Sequence, residues 1–280
     1  MTKITATSFE DLEKQIMDEY NSLSKRLQQT ARYLLENPRD IALETVAVIA
    51  NNAGVTPSTL IRFSNAFGFQ GFTEMQRLFK GKLIEGVPDY SERIRLVRQE
   101  YGQSDTPSPL QLLDEFSAAN IASLEQLSHE IDADTLNKVL DILAAAEATH
   151  IVGVRRAFVI ASYFAYALRH VDRRAYLIDG IGGMYSEQAQ AIGKQDAVIA
   201  ISFSPYGQET LNVANIALEK EVPLIVISDS PLSPLARHAS ACLIVQEAQV
   251  RSFRSLNSSL CLAQTLSIAL AYRLESEKAD

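Results

Sequence analysis

The sequence predicts two folds in one chain: an all-α N-terminal domain, then an α/β domain whose five-stranded parallel sheet lies inside an αβα sandwich. Three observations predict it. Apolar residues recur at helical spacing through the first third of the 280 residues. A polar stretch broken by Gly86, Pro88, Gly102, Pro107 and Pro109 follows and reads as a hinge. Beyond Thr149 short, almost continuously apolar runs alternate with helical stretches, as strands buried on both faces of a parallel sheet do.

In chain order, Leu23, Leu27, Ala31, Leu34 and Leu35 mark a helix that stops at Asn37-Pro38, because proline disfavours helical geometry in the residue before it. Residues 40–45 read as a short link. A helix over 46–53 is closed by Gly54, and the next begins with Thr56 in the capping position and Pro57 at the first helical position. A charged helical piece covers 92–101 and a helix or helix pair 110–148. Strands are expected at 150–153, 175–178, 197–202, 224–228 and 241–245, with helices over 158–170, 184–191, 209–220, 232–238 and 258–274. The domain boundaries are 1–85 for the helical domain, 86–125 for a linker and connecting helix, and 126–280 for the α/β domain.

A content of 47% hydrophobic and 21% charged residues supplies two cores and excludes wholesale disorder. The longest apolar runs fall far short of the roughly 20 residues of a membrane span, and the acidic first 19 residues lack a leader pattern, so a cytoplasmic protein without a membrane partner is expected. Cys242 and Cys261 lie in apolar segments without CxxC spacing and read as buried small hydrophobes. The four histidines are scattered, so neither a metal nor a cofactor is expected. The net charge of −8 hides a local excess, for residues 24–82 hold eight basic side chains against four acidic ones.

Residues 46–63 have helix-turn-helix spacing. Small Ala50 lets the helices approach, Gly54 makes the turn, and Leu60, Phe63 and Phe67 face inward. Ser58, Thr59 and Arg62 are assigned to the opposite face, which would enter the major groove of double-stranded operator DNA. Arg62 can donate two hydrogen bonds to a guanine or one to a phosphate, while Ser58 and Thr59 reach base edges or backbone. Thr56 and Pro57 open the helix where free N–H groups suit a phosphate. A helical bundle serving only dimerisation is the competing reading.

The string AVIANNAGVTPSTLIRFSNAFGFQGFTEMQRLF resembles the N-terminal domain of the RpiR/MurR family of sugar-responsive regulators, through Gly54, Val55, Thr59, Arg62, Phe63, Gly68, Phe69, Gly71 and Phe72. Thr56 stands where the family often has serine and keeps the hydroxyl.

In the α/β half, the carboxyl ends of parallel strands form a natural ligand crevice. Gly153, Arg155 and Arg156 follow the first strand; Ser202, Ser204, Tyr206, Gly207 and Glu209 follow the third; Ser228 ends the fourth. Hydroxyls and N–H groups at a helix start suit an anion or sugar hydroxyls. This half resembles the SIS domain that completes the same family, and the resemblance implies a phosphosugar ligand and a homodimer or homotetramer on a palindromic operator. Departures from the family pattern fall at Arg155, which replaces a glycine, at Ala157, which replaces a serine, and at Pro205, which replaces a glycine. Arg155 and Arg156 either clamp a carboxylate or phosphate or pair with Asp179 or Glu209 beside a neutral ligand. A sugar acid, keto sugar or inositol derivative therefore stays open. Glu247 and Arg254 read as surface ion-pair residues or as contacts to ligand or a partner subunit.

The reading that joins both halves is a DNA-binding transcriptional regulator of carbohydrate-metabolism genes, controlled by a small sugar-derived ligand. An aldose–ketose isomerase with a helical extension is the alternative, with Glu209 the one carboxylate placed to act as base. A DNA-free helical scaffold is the third.

Overall fold

The computed structural model describes residues 5, 6, 8–85, 89–101 and 106–279. Part of the expected hinge, residues 86–88 and 102–105, lies outside the described residues. Contacts divide the chain into two compact units, Met1–Thr106 with Arg251–Phe253, and Pro107–Val250 with Arg254–Asp280. Residues 107–125, read in the sequence as linker, thus count with the second unit.

In the first unit Ser8 accepts the Asp11 N–H at 3.0 Å and starts α1 (Phe9–Glu19), whose Phe9, Leu12 and Ile16 are buried. α2 (Lys25–Glu36) buries Ala31 and Leu34. Residues 40–45 are not the link the sequence suggested: α3 (Pro38–Leu43) begins at Pro38, which occupies the first helical turn where its missing N–H is harmless. α4 (Val46–Asn52) and α5 (Pro57–Ala66) follow, then α6 (Phe72–Glu85), whose Gln76 amide donates to the Ile41 and Glu44 carbonyls at 2.8 Å and so closes the end of α3. Phe63, Phe67, Met75 and Phe79 are fully buried in this core, each contributing roughly 1.5–3 kcal/mol of apolar burial. α7 (Tyr90–Tyr101) covers the charged piece.

In the second unit α8 (Pro109–Glu130) begins with a reciprocal cap between Ser108 and Gln111, and α9 (Ala133–Ala145) begins at Asp132. The hydroxyl and N–H of Thr135 hold the Asp132 carboxyl below its usual value. The Arg173 guanidinium donates to the Leu143, Ala144 and Ala146 carbonyls at the other end of α9.

The strands are β1 (Ala148–Gly153), β2 (Arg174–Ile178), β3 (Ala197–Ser202), β4 (Leu224–Ser228) and β5 (Ala241–Ile244), all parallel, in the order β2-β1-β3-β4-β5. The central β1, β3 and β4 are buried throughout, whereas the edge strands β2 and β5 are buried at alternate or fewer positions. On one face, Ile151, Ile199 and Ile225 pack with α9, α10 (Ala157–Arg169) and α13 (Asn257–Ala279). On the other, Val152, Val198 and Val226 pack with α11 (Tyr185–Gln190) and α12 (Gln208–Glu219). The three-layer αβα sandwich follows from this two-sided burial.

Two local expectations change. The helix expected over 232–238 shrinks to a 3-10 turn at Ala236–His238, since Pro234 inside it has no N–H to donate. A two-stranded ribbon, β6 (Gln249–Val250) and β7 (Phe253–Arg254), was not expected. Arg251 and Ser252 at its tip have φ of 52° and 64°, a conformation that glycine or asparagine would have advertised.

The two cysteines differ from the buried pair expected. Cys261 is exposed on α13, while Cys242 on β5 is half-buried and burial pushes its thiol up to about 11. Relative to the ordinary value of 9.0, the thiolate population at pH 8 falls roughly a hundredfold. Iodoacetamide at pH 8 is therefore expected to leave Cys242 unmodified in the folded protein and to label it on unfolding in urea. Peptide mapping that finds Cys242 alkylated as fast in the folded protein as in urea contradicts this environment.

Candidate functional site

In the first unit, α2 fixes the turn between α4 and α5. The Gln29 amide donates to the Ala53 carbonyl at 2.8 Å, and the Arg26 guanidinium to the Gly54 carbonyl at 3.4 Å. Gly54 has φ +65°, the left-handed conformation that glycine adopts most easily, and a Cβ there would press on Gln29 Nε2 at 3.0 Å. Val55 N–H donates to the Ala50 carbonyl at 2.9 Å and completes the turn.

Thr56 occupies the cap position of α5, yet its hydroxyl bonds no backbone N–H. It pairs instead with the Ser58 hydroxyl at 2.8 Å and the Thr59 hydroxyl at 3.0 Å. Thr59, expected on the outward face, is buried with Leu60, Phe63 and Ser64. It precedes Phe63 by one turn and so shares the inward face. Its hydroxyl accepts from Arg62 Nη2 at 3.4 Å, a contact to the guanidinium end of that side chain. Pro57, Ser58, Ile61 and Arg62 are the exposed residues of the first two turns. The Phe67–Phe72 segment is anchored by the buried rings of Phe67, Phe69 and Phe72, with Gly68 at φ +86°.

In the second unit the strand order places β1 and β3 side by side with their onward connections leaving in opposite directions, the topological switch point at which ligands bind in open parallel sheets. The loops after these strands meet there. Gly153 is required because a Cβ would lie 2.8 Å from the Ala157 carbonyl oxygen, and Gly207 because a Cβ would lie 2.2 Å from Val154 Cγ2. Arg156 Nη2 donates to the Ser204 carbonyl at 2.9 Å, so this guanidinium ties one loop to the other. Asp179 is instead engaged by the Gln188 amide at 2.9 Å and the Ile181 N–H at 3.0 Å, which hold its carboxyl below the usual range.

Arg155 is exposed in a left-handed conformation (φ 56°), Ser204 and Tyr206 are half-buried, and Glu209 is exposed on the first turn of α12. Ser202 is buried, and the fully buried Ser228 does not present its hydroxyl to the crevice. It donates to the Ser202 carbonyl at 2.8 Å, directly across the β3–β4 pairing.

Two residues matter more than the sequence suggested. Asp229, immediately after β4, accepts the Ser204 N–H at 3.0 Å and Arg254 Nη1 at 2.8 Å, and both ionic side chains are only 3% exposed. Arg254 is thus a buried ion-pair partner rather than a surface one. The available signal was a charged residue directly following the strand that ends in Ser228. Glu247 accepts the Ser258 and Ser259 N–H groups at 3.2 and 2.8 Å, and so caps α13.

Away from the crevice, a cleft of about 490 Å³ opens along β2, lined by Arg174, Tyr176, Ile178 and Gln188. At its floor His150 Nε2 meets Asp196 Oδ2 at 3.0 Å and the imidazole stacks on Tyr176 at 5.3 Å. Among the described residues no group of three or more His, Cys, Asp or Glu is placed to hold a metal, and no helix is long and apolar enough to cross a membrane.

Residues 10–85 match the family model described as a helix-turn-helix domain of the rpiR family, and residues 142–272 match the one described as the SIS domain. The chain is 24% identical over 268 residues to the bifunctional protein glk of Paraburkholderia xenovorans, aligning 93% of this chain with 40% of that protein. It therefore spans about two-fifths of that relative's length. It is also 24% identical over 238 residues to the HTH-type transcriptional regulator HexR of Pseudomonas aeruginosa, covering 83% of this chain and 78% of HexR. Its fold is similar to that of the Vibrio vulnificus NanR protein complexed with ManNAc-6P, with a TM-score of 0.58 and 20% identity over 96% of this chain and 94% of that one. The sugar isomerase domain of an RpiR transcription factor from Sphaerobacter thermophilus gives 0.56 and 21%, over 58% of this chain and 91% of that one.

Proposed function

We propose that this chain, which belongs to the RpiR family by its helix-turn-helix domain and the SIS domain that follows, is a cytoplasmic transcriptional regulator of carbohydrate-metabolism genes, binding operator DNA through α5 under the control of a sugar-derived ligand in the SIS-domain crevice. One observation supports this most: a turn-clamped helix with an outward Arg62 stands on the same chain as two loops tied together at a topological switch point.

Ser58 and Arg62 face the groove, and Thr56 with the Ser58 N–H at the start of α5 lies against a phosphate. Thr59 supports Arg62 rather than touching DNA. In the crevice, Ser204, Tyr206, Glu209 and Arg155 meet the ligand, while Gly153, Gly207, Arg156, Ser202 and Ser228 shape the loops. A sugar phosphate fits this arrangement because Arg155 adds a guanidinium to the backbone donors. Control requires a ligand that favours one of two conformations, and a homodimer reading two half-sites of a palindrome turns that preference into affinity. The isomerase reading has less behind it: Glu209 is exposed, and no histidine lies within 153–157 or 202–210.

Selection of the purified protein against a random duplex library is expected to enrich a sequence with two related half-sites. Its log affinity should fall linearly with log salt, by roughly 0.9 per phosphate contacted. Titrating hexose 6-phosphates and N-acetylhexosamine 6-phosphates into that complex is expected to shift affinity by about fivefold or more for at least one of them. No enrichment, with or without these sugars, contradicts the proposal.

A further inference from the structure

We propose that Ile61 reads a thymine 5-methyl group in the operator, an inference that rests on the assignment of α5 to the major groove. Ser58, Ile61, Arg62 and Asn65 are exposed at positions i, i+3, i+4 and i+7 of α5, and form one stripe opposite Leu60, Phe63 and the buried Thr59. Ile61 is 45% exposed and belongs neither to the N-terminal core nor to the partly buried residues packed against it. A single exposed isoleucine is ordinary on a protein surface. Its meaning comes from its place between the two groove-facing residues already assigned.

The neighbours on the stripe do polar work. Arg62 offers donors suited to guanine O6 and N7, and the Ser58 hydroxyl, held at 2.8 Å from the Thr56 hydroxyl, donates or accepts. In its alternative amide orientation Asn65 donates to the Ile61 and Phe69 carbonyls at 3.3 and 3.0 Å, which engages it in closing the helix. None of these groups recognises a methyl. Thymine is the one base that presents a methyl in the major groove, and an exposed branched aliphatic side chain is its complement. Consecutive Cα atoms are about 3.8 Å apart and stacked bases about 3.4 Å, so Ile61 addresses a base pair within about two of the one that Arg62 reads.

The test uses full-length protein and the operator recovered by selection, with each thymine replaced in turn by deoxyuridine, which differs only in lacking the methyl. For the parent protein, one thymine per half-site is expected to lose roughly three- to fivefold in affinity on this change, the transfer effect of one buried methyl. Ile61→Ala is expected to bind the thymine and deoxyuridine sites equally, and Ile61→Val to keep part of the preference. Because Ile61 lies outside the core, an unchanged melting curve accompanies these effects. A purely structural role for Ile61 would weaken binding to both sites alike and leave the ratio intact.

Sequence-selective binding in which no thymine shows a preference, or in which Ile61→Ala retains the parent's ratio, overturns this inference and leaves the regulator reading standing. No sequence-selective binding at all overturns both.

Discussion

Replacing Arg62 by alanine is expected to lower operator affinity by about 1–3 kcal/mol, roughly five- to 150-fold, with no change in melting temperature. The size follows from what the side chain is free to do. Among the described residues one of its five N–H donors has a partner, the Thr59 hydroxyl at a weak 3.4 Å, and the residue is exposed on the outward stripe of α5. The helix itself stays in place because Leu60, Phe63 and Phe67 anchor it from the other side. The pattern of loss separates two roles. If Arg62 contacts a guanine, discrimination at that base pair relaxes; if it contacts a phosphate, affinity falls evenly across sequences and the salt slope shrinks by about one. Arg62→Lys restores the second role and not the first, since an ammonium lacks the fork that matches O6 and N7. Binding that survives Arg62→Ala within a factor of two means that another surface reads the DNA.

Much of this architecture was legible because burial imposes a period on sequence. The apolar runs that end in Gly153, Ser202 and Ser228 had to be strands of a covered parallel sheet, and their structural ends coincide with the sequence reading. The helix-turn-helix was legible through Gly54, whose positive φ favours glycine after α4. What escaped depends on partners that no local period reveals. Thr59 was placed outward beside Arg62, although its one-turn spacing to Phe63 carries it inward. Ser228 was offered to a ligand, but its hydroxyl is consumed by the Ser202 carbonyl, 26 positions away. Asp229 drew no role at all, because its partner Arg254 is 25 residues distant and arrives through a ribbon whose turn contains neither glycine nor asparagine. Long-range polar pairing is the part of a site that sequence spacing conceals.

That pairing also carries the largest expected effect on stability. Arg254→Ala takes from the buried Asp229 carboxylate the guanidinium that donates to it at 2.8 Å, and breaking such a pair from one side costs about 3–5 kcal/mol. For a unit of this size the melting temperature is expected to fall by roughly 6–20 °C. Asp229→Ala has a second consequence, because the same carboxylate oxygen accepts the Ser204 N–H at 3.0 Å and so holds the loop on which the proposed ligand rests. Replacing both members, with Asp229→Asn and Arg254→Met, removes two buried charges together and is expected to recover most of the stability, since the desolvation of both ions disappears along with their attraction. Recovery of function is not expected to follow, for an amide at position 229 grips Ser204 N–H less strongly than a carboxylate does. The double variant should therefore melt near the parent while needing more sugar to shift operator binding. If Arg254→Ala melts within a degree of the parent, the ion pair is solvated in solution and the buried geometry is wrong; if the double variant regains both stability and the parent's sugar response, Asp229 supports the fold and has no part in holding the ligand loop.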